Sequence, residues 1–252
     1  MSRNSDQRRE EIRRIILRHE SVRVTDLAQT LNVTPETIRG DLTFLEEKGF
    51  LYRSRGTASL RLSGAEPPME LRMRENTDAK KAISEAAFDL VKDDMVIYFS
   101  ASSTALYLGK LLVLRKNITV VTNSIDMIQT LAGGRAKIIV LGGEYLRTGR
   151  RTYGNEAVRQ VNEIYFDIAF MGMDGCIGCD GPATVNTDER PIDQTVMKRA
   201  GMRVLLSDSS KFSCRSHYQY AKFTDFDQII TDTLDPELKK TYDMKNLKEV
   251  YI

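Results

Sequence analysis

Five short segments rich in hydroxyls, amides and small residues recur along this chain, each following a compact apolar run. They are Ser100-Ala101-Ser102-Ser103-Thr104, Thr122-Asn123-Ser124, Gly142-Gly143-Glu144, Gly172-Met173-Asp174-Gly175 and Ser207-Asp208-Ser209-Ser210-Lys211. A hydroxyl-rich turn that opens a helix is an anion site, because unsatisfied N–H groups and the helix dipole point at the bound charge. Taken singly, each turn is an ordinary helix cap, a role Ser and Thr fill routinely. Together, with Lys211 as a cation and acids to accept from hydroxyls, they point to a polar, phosphorylated ligand. The candidate ligand-binding residues are Ser102, Ser103, Thr104, Asn123, Ser124, Gly143, Glu144, Asp174, Gly175, Glu189 and Lys211.

A second chemistry lies near the N-terminus, in VTDLAQTLNVTPETIRGDLTFLEEKGFLYRSRG (24–56). Thr25 is placed to cap a short helix with Leu27, Ala28 and Leu31 on its apolar face, and Asn32-Val33 makes a turn. Thr34 then serves as N-cap with Pro35 at the first helical position, where a missing N–H does no harm. Ile38, Leu42 and Leu45 face inward at i, i+4 and i+7, and Gly49 ends the helix. Glu36, Thr37, Arg39 and Gly40 remain outward near its N-terminus, with Thr43 also on the groove-facing side. In a helix-turn-helix the N-terminal part of the second helix meets base edges in the major groove. A preceding helix from about Asp6 to His19, with Ile12, Ile15 and Ile16 as its stripe, completes a three-helix core. Phe50 to Leu62 reads as two strands around Arg55-Gly56, a wing that brings Arg53 and Arg55 to phosphate or to the minor groove. Two amphipathic helices and a turn also occur in proteins that never touch DNA; the hydroxyls, the Arg and the wing favour DNA. The candidate DNA-binding residues are Thr34, Glu36, Thr37, Arg39, Thr43, Arg53 and Arg55.

Cys176-x-x-Cys179 and Cys214-x-x-His217 each have a zinc-ligand spacing. Either pair alone is a weak signal. The expectation is no metal and no cofactor, with these four residues as the candidates if a metal is bound.

The elements that must position these groups follow from periodicity. Strand-like runs at Met95–Phe99, Ile118–Val121, Lys137–Leu141, Ile168–Met171, Val204–Leu206 and Gln228–Ile230 are mostly separated by helical segments. That alternation predicts a mostly parallel sheet covered on both faces, in which ligands bind at the carboxyl ends of the strands. The segment SGAEPPMELRMRENTD, with no helical stripe before Ala79, reads as a linker. The expected organisation is a DNA-binding domain over 1–62, a linker over 63–78 and an effector domain over 79–252.

At 252 residues the chain has room for two domains. Its net charge of +2 does not by itself mark a nucleic-acid partner, although the positive charge of the first 56 residues is almost all Arg, whose planar fork suits phosphate and guanine. There is no apolar run of about 18 residues to span a membrane, and MSRNSDQRREE lacks the apolar core of a signal peptide. A cytoplasmic location is expected. The three Cys do not make a disulfide framework.

The whole chain resembles bacterial transcriptional regulators of the DeoR/GlpR family. The matching pieces are LAQTLNVTPETIRGDLTFLEEKGFLYR (27–53), TDAKKAISEAA (77–87), SSTALYL (102–108), VTNS (121–124), LGGEY (141–145), FDIAFMGMDG (166–175), DSSKF (208–212) and IITD (229–232). The resemblance implies an N-terminal winged helix-turn-helix, mainly α with a small β wing, joined to an α/β Rossmann-like effector domain related in fold to ribose-5-phosphate isomerase. It implies repression of a carbohydrate-utilisation operon, relieved by a phosphorylated sugar or sugar derivative. The partners would be double-stranded operator DNA, the sugar effector and the chain itself, as a dimer or tetramer; no membrane is involved. Three departures stand out. The family usually carries a second Arg where this chain has Gly40, ends its wing in His-Gly-Gly-Ala where this chain has Arg55-Gly56-Thr57-Ala58, and opens the phosphate loop with Asp and Gly where this chain has Ser100-Ala101.

The alternative is that the effector domain is a sugar-phosphate isomerase. Moving a proton between adjacent carbons needs a carboxylate base and a cation for the enediolate, roles open to Asp174 and Lys211. The isomerases carry a further Lys and Glu after a glycine-rich turn, whereas Gly181–Glu189 contains no Lys. A regulator without catalytic residues is the expected reading.

Overall fold

In the computed structural model, residues 3–18, 22–47, 51–54, 57–60, 67, 69–147 and 149–252 are described. The chain divides into two compact units, Met1–Pro67 and Pro68–Ile252.

The first unit runs α1 (Arg3–Arg18), β1 (Val22–Arg23), α2 (Val24–Thr30), α3 (Pro35–Glu47), β2 (Leu51–Ser54) and β3 (Thr57–Leu60). Ile12, Ile16, Leu27, Ile38, Leu42 and Leu45 pack into one core with Leu51 and Ala58 of the wing. The sequence missed β1, which pairs antiparallel with β3 through Val22↔Ala58 and Arg23↔Thr57; two residues are too few to show a period. Thr25 is not a cap. It lies inside α2, whose N-cap position is Arg23. The turn after α2 is made by Asn32 at φ +50, a left-handed conformation that Asn tolerates better than most residues. Asp41 is 3% exposed and accepts hydrogen bonds from Nε of both Arg8 and Arg9, which ties α3 to α1 by charge as well as by packing. His19, Gly49, Arg55 and Gly56 lie outside the described residues, as does the side chain of Arg53.

The second unit opens with α4 (Met69–Arg72) and α5 (Thr77–Phe88). Both start inside the segment expected to be a linker; four residues of α4 are too short to show a stripe. Then come β4 (Val96–Phe99), α6 (Ser103–Leu111), β5 (Thr119–Thr122), α7 (Ile125–Leu131), β6 (Lys137–Val140), the hairpin β7 (Glu144–Leu146) and β8 (Arg151–Tyr153), α8 (Asn155–Asn162), β9 (Phe166–Met171), β10 (Ala183–Thr184), α9 (Arg190–Arg199), β11 (Ala200–Leu206), β12 (Tyr218–Gln219), β13 (Gln228–Asp232), α10 (Pro236–Thr241) and β14 (Leu247–Val250).

Seven strands form one sheet in the order β14-β13-β11-β9-β4-β5-β6, and their pairings are all parallel. Side chains alternate between two cores. Tyr98, Val121, Ala169, Met171, Leu205 and Ile229 face one, while Ile97, Phe99, Val120, Phe170, Leu206 and Ile230 face the other. This is the period-2 alternation of a strand buried on both sides, in a Rossmann-like α/β unit. Chain order reverses direction across the sheet between β4 and β9, the switch point at which such sheets leave a crevice. The loops after β4 and β9 meet there. A side chain at Gly172 would collide with Ser102 Cβ, so glycine is what lets the two loops close on each other.

Candidate functional site

The loop after β4 leads directly into α6. Ser102 is its N-cap, in extended conformation, and its hydroxyl accepts from the Ala105 N–H at 3.1 Å. Ser103 and Thr104 follow as the first residues of the helix, both almost completely buried. They line a small pocket with Arg72 from α4, Met173 from the loop after β9, and Leu206, Ser207, Asp208 and Lys211 from β11 and the turn after it. Four residues singled out from the sequence (Ser102, Ser103, Thr104 and Lys211) are thus brought together around one helix N-terminus. Asp174 stands at the edge of this group. Its Oδ2 accepts from the Val185 N–H at 3.0 Å, and Oδ1 lies 4.0 Å from the Arg72 guanidinium.

Asn123, Ser124 and Glu189 gather around Arg151 on β8, which is 1% exposed, bridged to Ser124 and ion-paired with Glu189. Asn123 donates from Nδ2 to the Thr152 carbonyl at 2.9 Å, and Thr152 N–H donates back to the Asn123 carbonyl. Ser124 is fully buried and caps α7, accepting from the Met127 N–H. Glu144 is exposed and accepts from the Tyr153 hydroxyl at 3.1 Å, which raises the pKa of that phenol. Gly143 has φ +129, and a Cβ there would meet the Tyr153 carbonyl. Gly175 packs against the Cys214 carbonyl. The hydroxyls of Ser102 and Ser124 are therefore engaged in capping, and Gly143 and Gly175 serve close backbone approach.

Sequence reasoning missed the groups that join these two clusters and anchor the segment entering the unit. Asp193 on α9 is buried, and burial pushes its carboxyl up to about 7, opposed by Arg151 and reinforced by Asp174. Lys80 on α5 is 1% exposed. Its ammonium donates to the carbonyls of Arg72 and Glu75 and lies 3.9 Å from Asp208. Burial lowers its pKa, against the pull of Asp208. Asn76, left-handed at φ +49, donates from Nδ2 to Asp208 Oδ1 at 2.8 Å and to Ser210 Oγ at 3.1 Å. Lys80 and Ser84 are i and i+4 alongside the buried Ala79, Ile83 and Ala87; a Lys adjoining an apolar stripe is a signal the sequence did contain. Arg72 follows a Pro-Pro pair and has no such signal.

Cys176, Cys179 and Cys214 are free thiols, the first buried and the others partly exposed. Among the described residues no three His, Cys, Asp or Glu side chains come together to hold a metal ion, so Cys176, Cys179, Cys214 and His217 do not form the four-ligand site their spacings allowed. The backbone N–H of His217 donates to the Thr184 carbonyl at 3.2 Å, in the β10–β12 region.

In the first unit, the Thr34 hydroxyl accepts from the Thr37 N–H at 3.2 Å and lies 2.9 Å from the Thr37 hydroxyl. Glu36 and Arg39 form an exposed pair at 2.6 Å, and the Thr43 hydroxyl donates to the Arg39 carbonyl at 2.8 Å. The outward face of α3 is thus polar and accessible, with its one cation held by a neighbouring acid.

Residues 8–63 match the DeoR-like helix-turn-helix domain and residues 75–233 match the DeoR C terminal sensor domain. The chain is 32% identical over 232 residues to the HTH-type transcriptional regulator FruR of Bacillus subtilis (strain 168), covering 90% of this chain and 92% of that protein. It is 28% identical over 218 residues to the HTH-type transcriptional repressor GlcR of the same organism, covering 86% and 84%. Among solved structures, a ribose 5-phosphate isomerase from Methanocaldococcus jannaschii superposes on 55% of each chain with 22% identity and a TM-score of 0.40. The relatives are named as regulators and repressors, not as isomerases. With both of its units matched in order, this chain belongs to the DeoR family of transcriptional regulators, as a DNA-binding protein with a small-molecule sensor domain.

Proposed function

We propose that this regulator represses a carbohydrate-utilisation operon and leaves its operator when a phosphorylated sugar or sugar derivative fills the pocket at the start of α6. The supporting observation is the convergence of two cations, Arg72 and Lys211, on a helix N-terminus formed by Ser103 and Thr104. A phosphate seated there gains the helix dipole and charge-assisted hydrogen bonds together. Asp174 accepts from sugar hydroxyls, Asn123, Ser124 and Glu189 form the wall around Arg151, and Gly143, Glu144 and Gly175 continue the rim. Ser102 and Ser124 cap their helices by accepting from backbone N–H groups, which leaves each O–H free to donate to the ligand.

On the DNA side, Thr37 and Arg39 meet base edges, with Thr34, Glu36 and Thr43 flanking them and Arg53 and Arg55 on phosphate or in the minor groove. Residues 1–62 act as the reading head, 63–78 as the connection and 79–252 as the sensor, which assembles into a dimer or tetramer so that two heads engage two half-sites. Ligand shifts such a system only through different affinity for its two states. Arg72, Glu75 and Asn76 lie in the second half of that connection, and Lys80 and Asp208 tie them to the pocket rim.

The test is operator binding to DNA from upstream of the protein's own operon, followed by fluorescence anisotropy and titrated with a panel of phosphorylated sugars. One or more should release the DNA while the unphosphorylated sugar does not. If no phosphorylated sugar changes DNA affinity, and none binds the protein in calorimetry, the reading fails.

A further inference from the structure

The three cysteines of this chain, spread over 39 positions of sequence from 176 to 214, come together on one side of the sensor unit. The Cys176 N–H and the Ile177 N–H both donate to the Cys214 carbonyl, at 3.0 and 3.1 Å. Ile177 and Arg215 form a parallel bridge. Cys176 and Cys214 are therefore neighbours across two paired segments, one residue before that bridge. Paired segments lie about 4.7–4.9 Å apart, inside the Cα window of about 4.4–6.8 Å that a disulfide spans. Both thiols face the same local feature, the 3₁₀ turn Ser209–Ser213. Cys176 Sγ donates to the Phe212 carbonyl at 3.6 Å and Cys214 Sγ to the Ser210 carbonyl at 3.4 Å. Cys179 closes the turn from Cys176, donating its N–H to the Cys176 carbonyl at 2.9 Å, with Gly178 at φ +85 inside it.

We propose that Cys176 and Cys214 are a peroxide-sensitive thiol pair that forms a reversible disulfide. Cys214 is the partly exposed member and Cys176 the buried one. The Cys214 thiolate attacks hydrogen peroxide: an S–O bond forms, the O–O bond breaks, and hydroxide leaves and is protonated to water. The Cys176 sulfur then attacks the resulting sulfenic sulfur. The S–S bond forms, the S–O bond breaks, and the departing oxygen takes the Cys176 proton and leaves as a second water. Two thiols are oxidised and one peroxide is reduced to two waters. Burial pushes the Cys176 thiol up to about 11, and the Tyr242 hydroxyl bonded to it pulls the other way. Cys176 is thus held as a thiol with little nucleophilicity of its own, and it reacts only when an electrophilic sulfur is formed beside it.

The bond would fasten the loop after β9, which carries Asp174 and Gly175, to the segment after β11, which carries Asp208 and Lys211. The two segments already pair through the Ile177–Arg215 bridge, so the bond would lock an existing contact beside the pocket lined by Asp208 and Lys211. The inference about the pair does not depend on the identity of the sensor ligand, so it stands or fails separately from the proposed function.

Full-length protein, purified reduced, is treated with a small excess of hydrogen peroxide, alkylated, digested with trypsin and mapped without reductant. No Lys or Arg separates Cys176 from Cys179, so both fall on the peptide spanning 160–198, and Cys214 falls on 212–215. Peroxide should link these two peptides within one chain, and a thiol reductant should release them. Cys179→Ser should retain the link, whereas Cys214→Ser and Cys176→Ser should each lose it. Free thiols after peroxide, oxidation only to the sulfinic acid, or a link that survives in Cys176→Ser and vanishes in Cys179→Ser would each overturn the assignment. Circular dichroism of the three variants checks that they fold.

Discussion

The Lys80 ammonium lies 3.9 Å from the Asp208 carboxylate, and neither side chain is more than 2% exposed. The same ammonium holds the carbonyls of Arg72 and Glu75, and the same carboxylate holds Asn76. One buried ion pair therefore pins the start of the sensor unit to the rim of its pocket. Removing one member of a buried pair leaves the other uncompensated, at a cost of about 3–5 kcal/mol. Lys80→Met should lower the unfolding free energy of the sensor unit by that order in urea titration. Adding Asp208→Asn should recover part of the loss. If Lys80→Met unfolds at the same midpoint as the parent, the pair is not structural.

Asp193 gives the protein a pH dependence of defined sign. Its carboxyl is raised to about 7 in the folded chain, against roughly 3.9 when unfolded. Between those values the folded state keeps a proton that the unfolded state has lost, so stability falls as pH rises through the window. The physical reason is first burial, which disfavours the charged carboxylate, with Asp174 adding to it and Arg151 opposing it. Arg151 is already paired with Glu189, and a second carboxylate in the same buried cluster is unmatched. Asp193→Asn should abolish the decline, so that parent and variant are similar near pH 4 and the variant is the more stable at pH 8, by on the order of a few kcal/mol. Parallel unfolding curves for the two proteins across this range would contradict it.

The order of elements, the parallel sheet and the rim of small polar turns were legible because each rests on a short period or on capping chemistry. Ser102 and Thr104 could be found because a hydroxyl-rich run follows an apolar strand. What such a run does not reveal is which hydroxyl also caps its helix; only geometry shows Ser102 and Ser124 accepting from the N–H groups of their own helices. Arg72, Arg151 and Asp193 went unnoticed for a related reason. Each is a charged residue that single-sequence periodicity assigns to a solvated face, yet each is buried by partners distant in sequence. The β1–β3 pairing and α4 are too short to carry a period at all.

Gly40 sits on the exposed side of α3, and a Cβ placed there meets nothing within 4 Å. No packing requirement accounts for the glycine, so its helix-propensity cost is recoverable. Gly40→Ala should stabilise the DNA-binding unit by up to about 1 kcal/mol, read as a higher melting temperature. Gly40→Arg supplies the residue that the family usually has. If that side chain reaches a phosphate, operator affinity should rise and its dependence on log salt should steepen by about 0.9. An unchanged slope would show that this face of α3 does not approach the backbone.

Arg39 is the cation on the accessible face of α3, and it is held by Glu36 at 2.6 Å. DNA must compete with that bond, but the pair is exposed and so worth little, about 0–1 kcal/mol. Arg39→Ala should cost about 1–3 kcal/mol in operator affinity and relax specificity at one base position. Glu36→Gln, which frees the Arg without moving it, should leave affinity equal or slightly higher. Equal binding by the Arg39 variant and the parent, on the operator and on mismatched sites alike, would remove α3 from the groove.

Thr104 and Lys211 test the ligand pocket by different means. Thr104→Val keeps the shape of a nearly buried residue and deletes only its hydroxyl, so effector affinity should fall by about 0.5–1.5 kcal/mol. Lys211→Met removes a charge-assisted contact and should cost about 1.5–3 kcal/mol. Neither residue belongs to the DNA-binding unit, so operator affinity without ligand should be unchanged in both. Calorimetry with a phosphorylated sugar and its unphosphorylated counterpart separates phosphate recognition from sugar recognition. The parent should prefer the phosphorylated form, and Lys211→Met should erase most of that preference, while Thr104→Val should weaken it less. A parent that binds both forms equally, or a Lys211 variant that keeps the full preference, would locate the phosphate elsewhere on the sensor unit.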